Sequence, residues 1–465
     1  MRSGQSHAAR NTRLLRPPLR WTLASFLVIG LLITAWSSAD AVPSFGRETG
    51  LPCAACHNNF PQLTPLGRQF KMSGYQFDDN LWPKYPPIAA MAVGSFTHTQ
   101  TDQPGGAAPH FGDNDNFALD QASLFYGGRI ISRLAAFIQG TYDGIAEQFA
   151  LDNTDIRVAK PFTLGETPVI LGLTLNNNPT VTDPWNTTPA WGFPFVSSGL
   201  APTPAASTVI EGDLSQQVYG LTGYTLINNL VYVEAGAYHK LSTDVKKALG
   251  VNDPEADVLD DFAPYWRVTL QHSFEGGHYL SVGTYGWLAH TFPGGDESAG
   301  SDRRTDIGVD LEYQFIIPRH NVTLLATWIH EAQQWDASQP LGNTAHSSDS
   351  LNTARLTAMY MYDLTYAING GYFMVTGSTD TVLYAPADRT GSANGSPDSR
   401  GFVLELDWLP LNKNGGPSFW PWFNPKLSLQ YVVYTKFNGG DHNYDGFGHR
   451  ASDNNTLFLS LWLAF

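Results

Sequence analysis

Cysteine is nearly absent: two residues in 465. Two thiols make at most one bridge, so a disulfide-stapled scaffold is excluded. Charge is scarce as well. Asp, Glu, Lys and Arg make up 15% of the chain, against about 25% in an ordinary soluble domain. Basic residues are the rarer sign, 27 Lys and Arg against 42 Asp and Glu, so the composition argues against a nucleic-acid partner. Beyond residue 36 no uninterrupted apolar run reaches the roughly 18 residues that a membrane helix requires. Mean hydropathy is −0.20, and a helical membrane bundle is excluded. Rings and turn residues are what the chain has in quantity: 26 Phe, 20 Tyr, 13 Trp and 44 Gly. Few charges and many aromatics predict a lipid-facing surface. With spanning helices excluded, the remaining class is an all-β transmembrane barrel.

The first 41 residues read as an address. Arg2, Arg10, Arg13, Arg16 and Arg20 precede an uncharged stretch over 21–36, and Ser37-Ser38-Ala39-Asp40-Ala41 follows it. Basic region, apolar region and an Ala-x-Ala site in that order predict a cleaved secretory signal over 1–41. A retained anchor is the alternative, but the apolar stretch is short for one. Removing five arginines and Asp40 leaves 22 basic and 41 acidic side chains, a formal charge of −19. Such a balance is compatible with drawing in cations.

Both cysteines fall in Cys53-Ala54-Ala55-Cys56-His57, the spacing that attaches a c-type haem. Thiols at i and i+3 reach the two vinyl groups, and the adjacent imidazole of His57 becomes the proximal iron ligand. Three other readings compete. A redox CxxC wants a βαβ context, a structural zinc wants four ligands, and a plain disulfide leaves His57 without a role. One haem c, covalently held, is the expected cofactor. The segment over 42–86 is too short to bury a core unaided. Within it, residues 60–71 predict a turn, a Thr64 N-cap with Pro65 at the first helical position, and a short helix. Arg47, Arg68 and Lys71 are candidates to neutralise the haem propionates, with ordinary solvated charge as the alternative. Met72 is the nearest distal ligand after His57 in sequence, and His98 is the alternative if it faces inward.

The run from Pro43 to Gly50, the haem motif, Pro61, Leu63-Thr64-Pro65, Gly67-Arg68, Phe70-Lys71 and Gly74-Tyr75 resemble the fused monohaem cytochrome c and porin family of iron-oxidising bacteria. The resemblance of residues covers Pro43 to Tyr75; over the remainder the likeness is of pattern. It implies a small N-terminal cytochrome leading into an outer-membrane barrel that takes electrons from extracellular Fe(II). The chain departs from the family pattern at Gly46, Glu48 and Met72, where Ala, Gln and Leu are common. The last departure bears on Met72 as distal ligand.

From residue 87 to 465 the chain alternates strand-length stretches with polar connections. Ile307, Val309, Leu311, Tyr313 and Phe315 alternate with Asp306, Gly308, Asp310, Glu312 and Gln314, and Phe402, Leu404, Leu406 and Trp408 alternate with Val403, Glu405 and Asp407. A soluble sandwich also alternates, but its strands usually run shorter. Leu457, Leu459, Leu461, Leu463 and Phe465 form an apolar stripe ending in an aromatic terminus, like the recognition signal of bacterial outer-membrane barrels. About sixteen strands are predicted. Long connections follow odd-numbered strands and short turns follow even ones, the asymmetry of outer loops and periplasmic turns. Two connections break the parity: 144–148 is short, and 410–424, with Trp420 and Trp422, is long. The parity places the start of the first strand, and with it the haem segment, on the periplasmic side, in or under the lumen.

Asp120, Asp155, Arg157, Arg267, Asp306, Asp310, Glu312, Arg355, Glu405 and Asp407 are expected to face inward, mostly as channel-wall charge. Acidic loop residues (Asp253, Glu255, Asp257, Asp260, Asp261, Asp296, Glu297, Asp302, Asp441 and Asp445) and His442 are candidate collectors of Fe(II), with solvated surface as the alternative. Two functions are weighed. The first is an electron conduit in which extracellular Fe(II) is the donor and a periplasmic c-type cytochrome the acceptor. The second is a transport porin with a haem-bearing plug. An exported peroxidase would need acid and base residues near the iron, and nothing near the motif specifies them.

Overall fold

The computed structural model describes residues 43–77, 85–188, 196–212, 214–417 and 423–465. The leader expected over 1–41, and Trp420 and Trp422, lie outside the described residues. The fold is one closed antiparallel sheet of sixteen long strands. They are β1 (Ile88–Thr99), β2 (Asn116–Ile131), β3 (Leu134–Asp143), β4 (Gln148–Leu164), β5 (Thr167–Asn176), β6 (Val218–Ile227), β7 (Val231–Lys240) and β8 (Ala263–Phe274). The second half comprises β9 (His278–Phe292), β10 (Asp302–Ile317), β11 (His320–Gln334), β12 (Ser348–Tyr362), β13 (Tyr366–Gly377), β14 (Ser399–Trp408), β15 (Asn424–Lys436) and β16 (Thr456–Ala464). A two-residue strand, Val258–Leu259, adds to the end of β9 through Thr291 and Phe292. Among the described residues no helix is long and apolar enough to cross a membrane; the crossing is made by strands.

Closure follows from pairing of the first strand with the last. Met91 lies opposite Ala464 and Thr99 opposite Thr456. The Phe465 N–H donates to the Ala90 carbonyl at 2.9 Å, and the Ala90 N–H donates back at 3.2 Å. No edge is left between the two strands, as a lipid-embedded sheet requires. The period-two pattern decides which side chains meet lipid. On β10, Ile307, Val309 and Leu311 are exposed, whereas Asp306, Asp310, Glu312 and Gln314 are buried on the inner face. On β14, Phe402, Leu404, Leu406 and Trp408 point out, and Glu405 and Asp407 point in.

The expected strands agree with the observed ones to within a few residues. β6 begins only at Val218, because Val209–Glu211 is a 3-10 turn and further turns follow it. The parity of connections also holds: β2, β4, β6, β8, β10 and β12 each end in two- or three-residue turns, and most odd strands end in long loops. Both exceptions are present. The long connection after β14 has a structural reason, because Leu409 packs in one cluster with Cys53 and Phe60 of the N-terminal segment, and Gly415 comes against Pro52.

That segment lies among inward-facing residues of the barrel and joins it in one compact unit. It contains α1 (Pro43–Thr49), α2 (Cys53–Cys56) and α3 (Pro65–Met72). As predicted, the Thr64 side chain accepts from the Gly67 N–H at 3.2 Å, and Pro65 opens the helix. Arg68 of α3 donates to both carboxylate oxygens of Glu312, at 2.9 and 3.0 Å, and to Gln314 at 2.9 Å. Its guanidinium lies 3.9 Å from the Tyr279 ring centroid. Gln62 donates to Glu312 at 2.8 Å, Asn59 to Asp407 at 2.6 Å and Tyr75 to Asp155 at 2.6 Å.

A second segment, 177–188, folds in from the loop after β5 and carries α4 (Pro179–Thr182). Trp185 is fully buried and donates to the Tyr279 hydroxyl at 2.8 Å. Arg267 binds Asp310 at 2.5 Å and Asp183 at 3.6 Å. The inward charges expected to line a water-filled channel therefore face the right way. Several of them, Glu312, Asp310, Asp155, Asp407 and Arg267 among them, bind the chain's own segments. Leu404→Arg should cost about 2–4 kcal/mol of stability near the bilayer midplane, measured by urea titration of protein refolded into lipid vesicles. A loss below about 0.5 kcal/mol, the usual range for an ordinary surface change, would contradict a lipid-facing β14.

Candidate functional site

The motif is built by one helical turn and locked from behind. In α2 the His57 N–H donates to the Cys53 carbonyl at 2.9 Å, so the imidazole follows directly on the turn that holds both sulfurs. The Thr64 N–H donates to the Cys56 carbonyl at 2.9 Å, and the Thr64 hydroxyl donates to the Ala55 carbonyl at 2.8 Å. These bonds clamp α3 onto α2. The approach is so close that a Cβ on Gly67 would meet the Cys56 carbonyl oxygen at 2.3 Å. Glycine is the one residue that permits this contact.

His57 Nδ1 sits 3.2 Å from the Pro61 carbonyl oxygen. A carbonyl can only accept, so Nδ1 carries the proton and Nε2 keeps its lone pair for a metal. Burial lowers the imidazole pKa to about 4, against a smaller opposing effect of the Pro61 and Gln62 carbonyls. The ring is therefore neutral, the form that ligates. Cys53 and Cys56 are both thiols. Burial pushes the Cys56 thiol up to about 11.

Cys53, Cys56 and His57 line one cavity of about 650 Å³, within the roughly 300–1,000 Å³ of small-molecule and cofactor sites. Phe45, Phe60, Phe70, Phe125, Phe137 and Trp462 supply its aromatic wall. Phe45 stacks on Tyr75 with centroids 5.1 Å apart, and Phe60 lies 5.2 Å from His57 and 5.9 Å from Trp462. Asp120, Asp143 and Asp152 line other parts of the same space, with Thr180, Val181 and Asn186 of the inward loop. Two thiols, a neutral imidazole with a fixed tautomer and a ring-lined space have the chemistry to fit a covalently tethered haem, which Cys53 and Cys56 would hold and His57 would ligate through Nε2. A zinc reading finds no fourth ligand. Among the described residues, the groups whose donor atoms converge as a metal site requires are His346, Asp349, Asp380 and Asp388, Asp445, His449, and neither contains a motif residue.

Of the remaining expected residues, Lys71 lines the cavity and Arg47, Arg68, Met72 and His98 do not. Arg68 does not line the cavity; its guanidinium is held by Glu312 and Gln314, so it pins the segment to the wall. Arg47 donates to the Ile88 carbonyl at the start of β1 and is likewise outside the cavity lining. Lys71 does line it, with its ammonium donating to the carbonyls of Val181 at 2.6 Å and Asp183 at 3.1 Å. Its pKa falls to about 8, first through burial and then through the Arg157 charge.

Met72 is buried in a separate cluster with Trp185, Tyr224, Tyr232 and Tyr279, outside the cavity lining, because α3 turns it to the face opposite the motif. His98 is also corrected. On β1 the buried positions are the odd ones, Ala89 to Thr99, and His98 shares the outer face with Ile88 and Phe96. It hydrogen-bonds Asp115 at 2.7 Å. Several loop acids have structural work: Asp302 accepts from Ala337 and Ser338, Asp257 from Arg304, Glu297 from Lys240, and Asp445 from Arg389, Phe447 and His449.

No protein-family model matches the chain, and no curated relative matches it. Solved outer-membrane barrels are similar at low identity. OmpT, an outer membrane protein of Vibrio cholerae, is 9% identical at a TM-score of 0.41, over 84% of this chain and 99% of that one. The anion-selective porin from Comamonas acidovorans is 12% identical at a TM-score of 0.42, over 81% and 99%. The outer membrane channel DcaP of Acinetobacter baumannii is 8% identical at 0.43, over 81% and 97%.

Glu312→Ala should cost about 3–5 kcal/mol, because it leaves the Arg68 guanidinium buried without its carboxylate. Limited proteolysis of the detergent-folded protein should then release the segment 43–77, which the unaltered protein retains. Equal protection in both proteins would remove this ion pair as the anchor.

Proposed function

We propose that the chain is an outer-membrane electron conduit: a c-type cytochrome segment docked inside a barrel, accepting electrons from extracellular Fe(II) and delivering them to a periplasmic c-type cytochrome. The observation that carries the proposal is the placement of Cys53, Cys56 and His57 together on one cavity within the barrel. The haem, when bound, supplies reversible one-electron chemistry at its iron. The chain's own residues do the rest. Cys53 and Cys56 would tether the group and His57 would present Nε2 to the metal, while the Pro61 carbonyl holds the imidazole in that tautomer. Phe45, Phe60, Phe70 and Trp462 limit water around it. The sixteen-strand wall separates the site from lipid.

Charge supports a cationic substrate. The mature chain carries a formal −19, and Asp120, Asp143 and Asp152 line the same cavity as the motif. Negative walls raise the local concentration of a divalent cation such as aquated Fe(II). An amphipathic barrel with a cleavable leader belongs in the bacterial outer membrane. The parity of long loops and short turns supports a periplasmic start for β1.

The test is export of the full chain in a strain with working cytochrome maturation, followed by reconstitution into vesicles. The expected result is a haem-staining protein whose absorption changes to the reduced form on adding Fe(II), and Cys53→Ala/Cys56→Ala should be colourless. A coloured protein that stays oxidised under excess Fe(II) at several pH values would sink the iron reading. Steady black-lipid conductance with solute permeation would favour a transport porin instead.

A further inference from the structure

We propose that Met91, on the barrel wall, would supply the second protein ligand to the iron, besides His57. The inference rests on the covalent-haem reading above and goes beyond it, because it assigns the second axial position to the barrel and not to the cytochrome segment. Met91 is an inward residue of β1, 8% exposed, and it lines the cavity that contains Cys53, Cys56 and His57. Among the described residues lining that cavity, His57 is the one imidazole and Met91 the one thioether.

The wall around the sulfur is apolar. Met91 clusters with Ala89, Val93 and Phe125, against Phe137 and Trp462. Trp462 also packs on the cluster of Cys53 and Phe60. One indole therefore packs on both the cluster that contains Cys53 and the cluster that contains Met91.

The other donors on the cavity wall are committed or chemically less suited. The Lys71 ammonium is held by two carbonyls, and the Tyr75 hydroxyl by Asp155. Asp143 accepts from the Ile145 and Ala146 N–H groups, and Asp152 accepts from Thr141 and Gln216. Asp120 remains, but a carboxylate is a hard donor that favours the ferric state, whereas a thioether ligates both states of a shuttling iron and raises its potential. Met361 touches the Cys53 and Phe60 cluster and is absent from the cavity lining, and Met72 lies in a different cluster.

The consequence is structural as well as electronic. With one axial ligand on the segment and the other on β1, ligation would tie the cytochrome to the barrel at the strand that closes it. The experiment is absorption and magnetic circular dichroism of the purified, full-length mature protein, with haem content measured separately by a denaturing haem assay. The expected spectrum is low-spin with a sulfur-to-iron charge-transfer band. Met91→Leu should keep its haem, lose that band and become high-spin. Met91→His should keep its haem and return to low-spin without the band. Met72→Leu and Met361→Leu should retain it. A band that survives Met91→Leu, a band lost in Met72→Leu or Met361→Leu, or a wild-type spectrum without it overturns the assignment while leaving the haem reading intact. A colourless wild-type protein overturns both. Should Met91→Leu fail to fold, Met91→His alone decides, since retention of the sulfur band in it overturns the proposal.

Discussion

A carboxylate facing the inside of a narrow barrel must be given water, a cation or a hydrogen-bond donor, because an ionised group left dry and alone costs several kcal/mol. In this protein the donors come from the chain itself. Glu312 takes Arg68 and Gln62, Asp407 takes Asn59, Asp155 takes Tyr75 and Arg157, and Asp310 takes Arg267 and Thr187. Each pairing joins the wall to a segment that would otherwise have no core, or braces a residue that does so. The N-terminal segment and the inward loop are therefore not cargo inside a finished pore. They complete its electrostatics, and the wall in turn supplies the apolar and polar surroundings that a segment of this length cannot provide for itself.

The same arrangement explains why the motif is so rigidly framed. Gly67 brings α3 onto the Cys56 carbonyl, Thr64 ties both helices together, and Arg68, one residue beyond Gly67, reaches the wall. Position is thus transmitted from β10 to His57 through a few short covalent and hydrogen-bonded links. The long connection after β14 contributes from the turn end through Leu409 and Gly415, where a two-residue turn would leave Cys53 and Pro52 uncovered.

Much of the barrel was legible in the residues. Strands such as β10 and β14 separate Ile, Leu, Val and Phe from Asp, Glu and Gln at a strict period of two, and that period is a local property of the chain. On β1 the pattern blurs: Ala, Met, Val, Gly, Ser, Phe, Thr and His occupy both faces, so polarity does not reveal that Met91 points in and His98 points out. The register against β16 reveals it. Counting inward from Ser95 and Thr97, which share a face with Met91, was the available signal for that methionine. Arg68 is a related case, since a basic residue near a haem motif and a basic residue pairing a wall carboxylate look identical in sequence.

By itself, then, the sequence determined the alternation that makes sixteen strands, the two thiols and imidazole at haem spacing, the cap that starts α3, and the acidic balance of the chain. These depend on residues within a few positions of one another. Tertiary structure alone decided which carboxylates would meet which cations, that 177–188 folds inward, that Met72 lies outside the motif's cavity and that Met91 lines it. Those outcomes depend on closure of the sheet, which brings residues hundreds of positions apart, such as Asn59 and Asp407, within hydrogen-bonding distance. No local pattern encodes a register that exists only once the first strand has met the last.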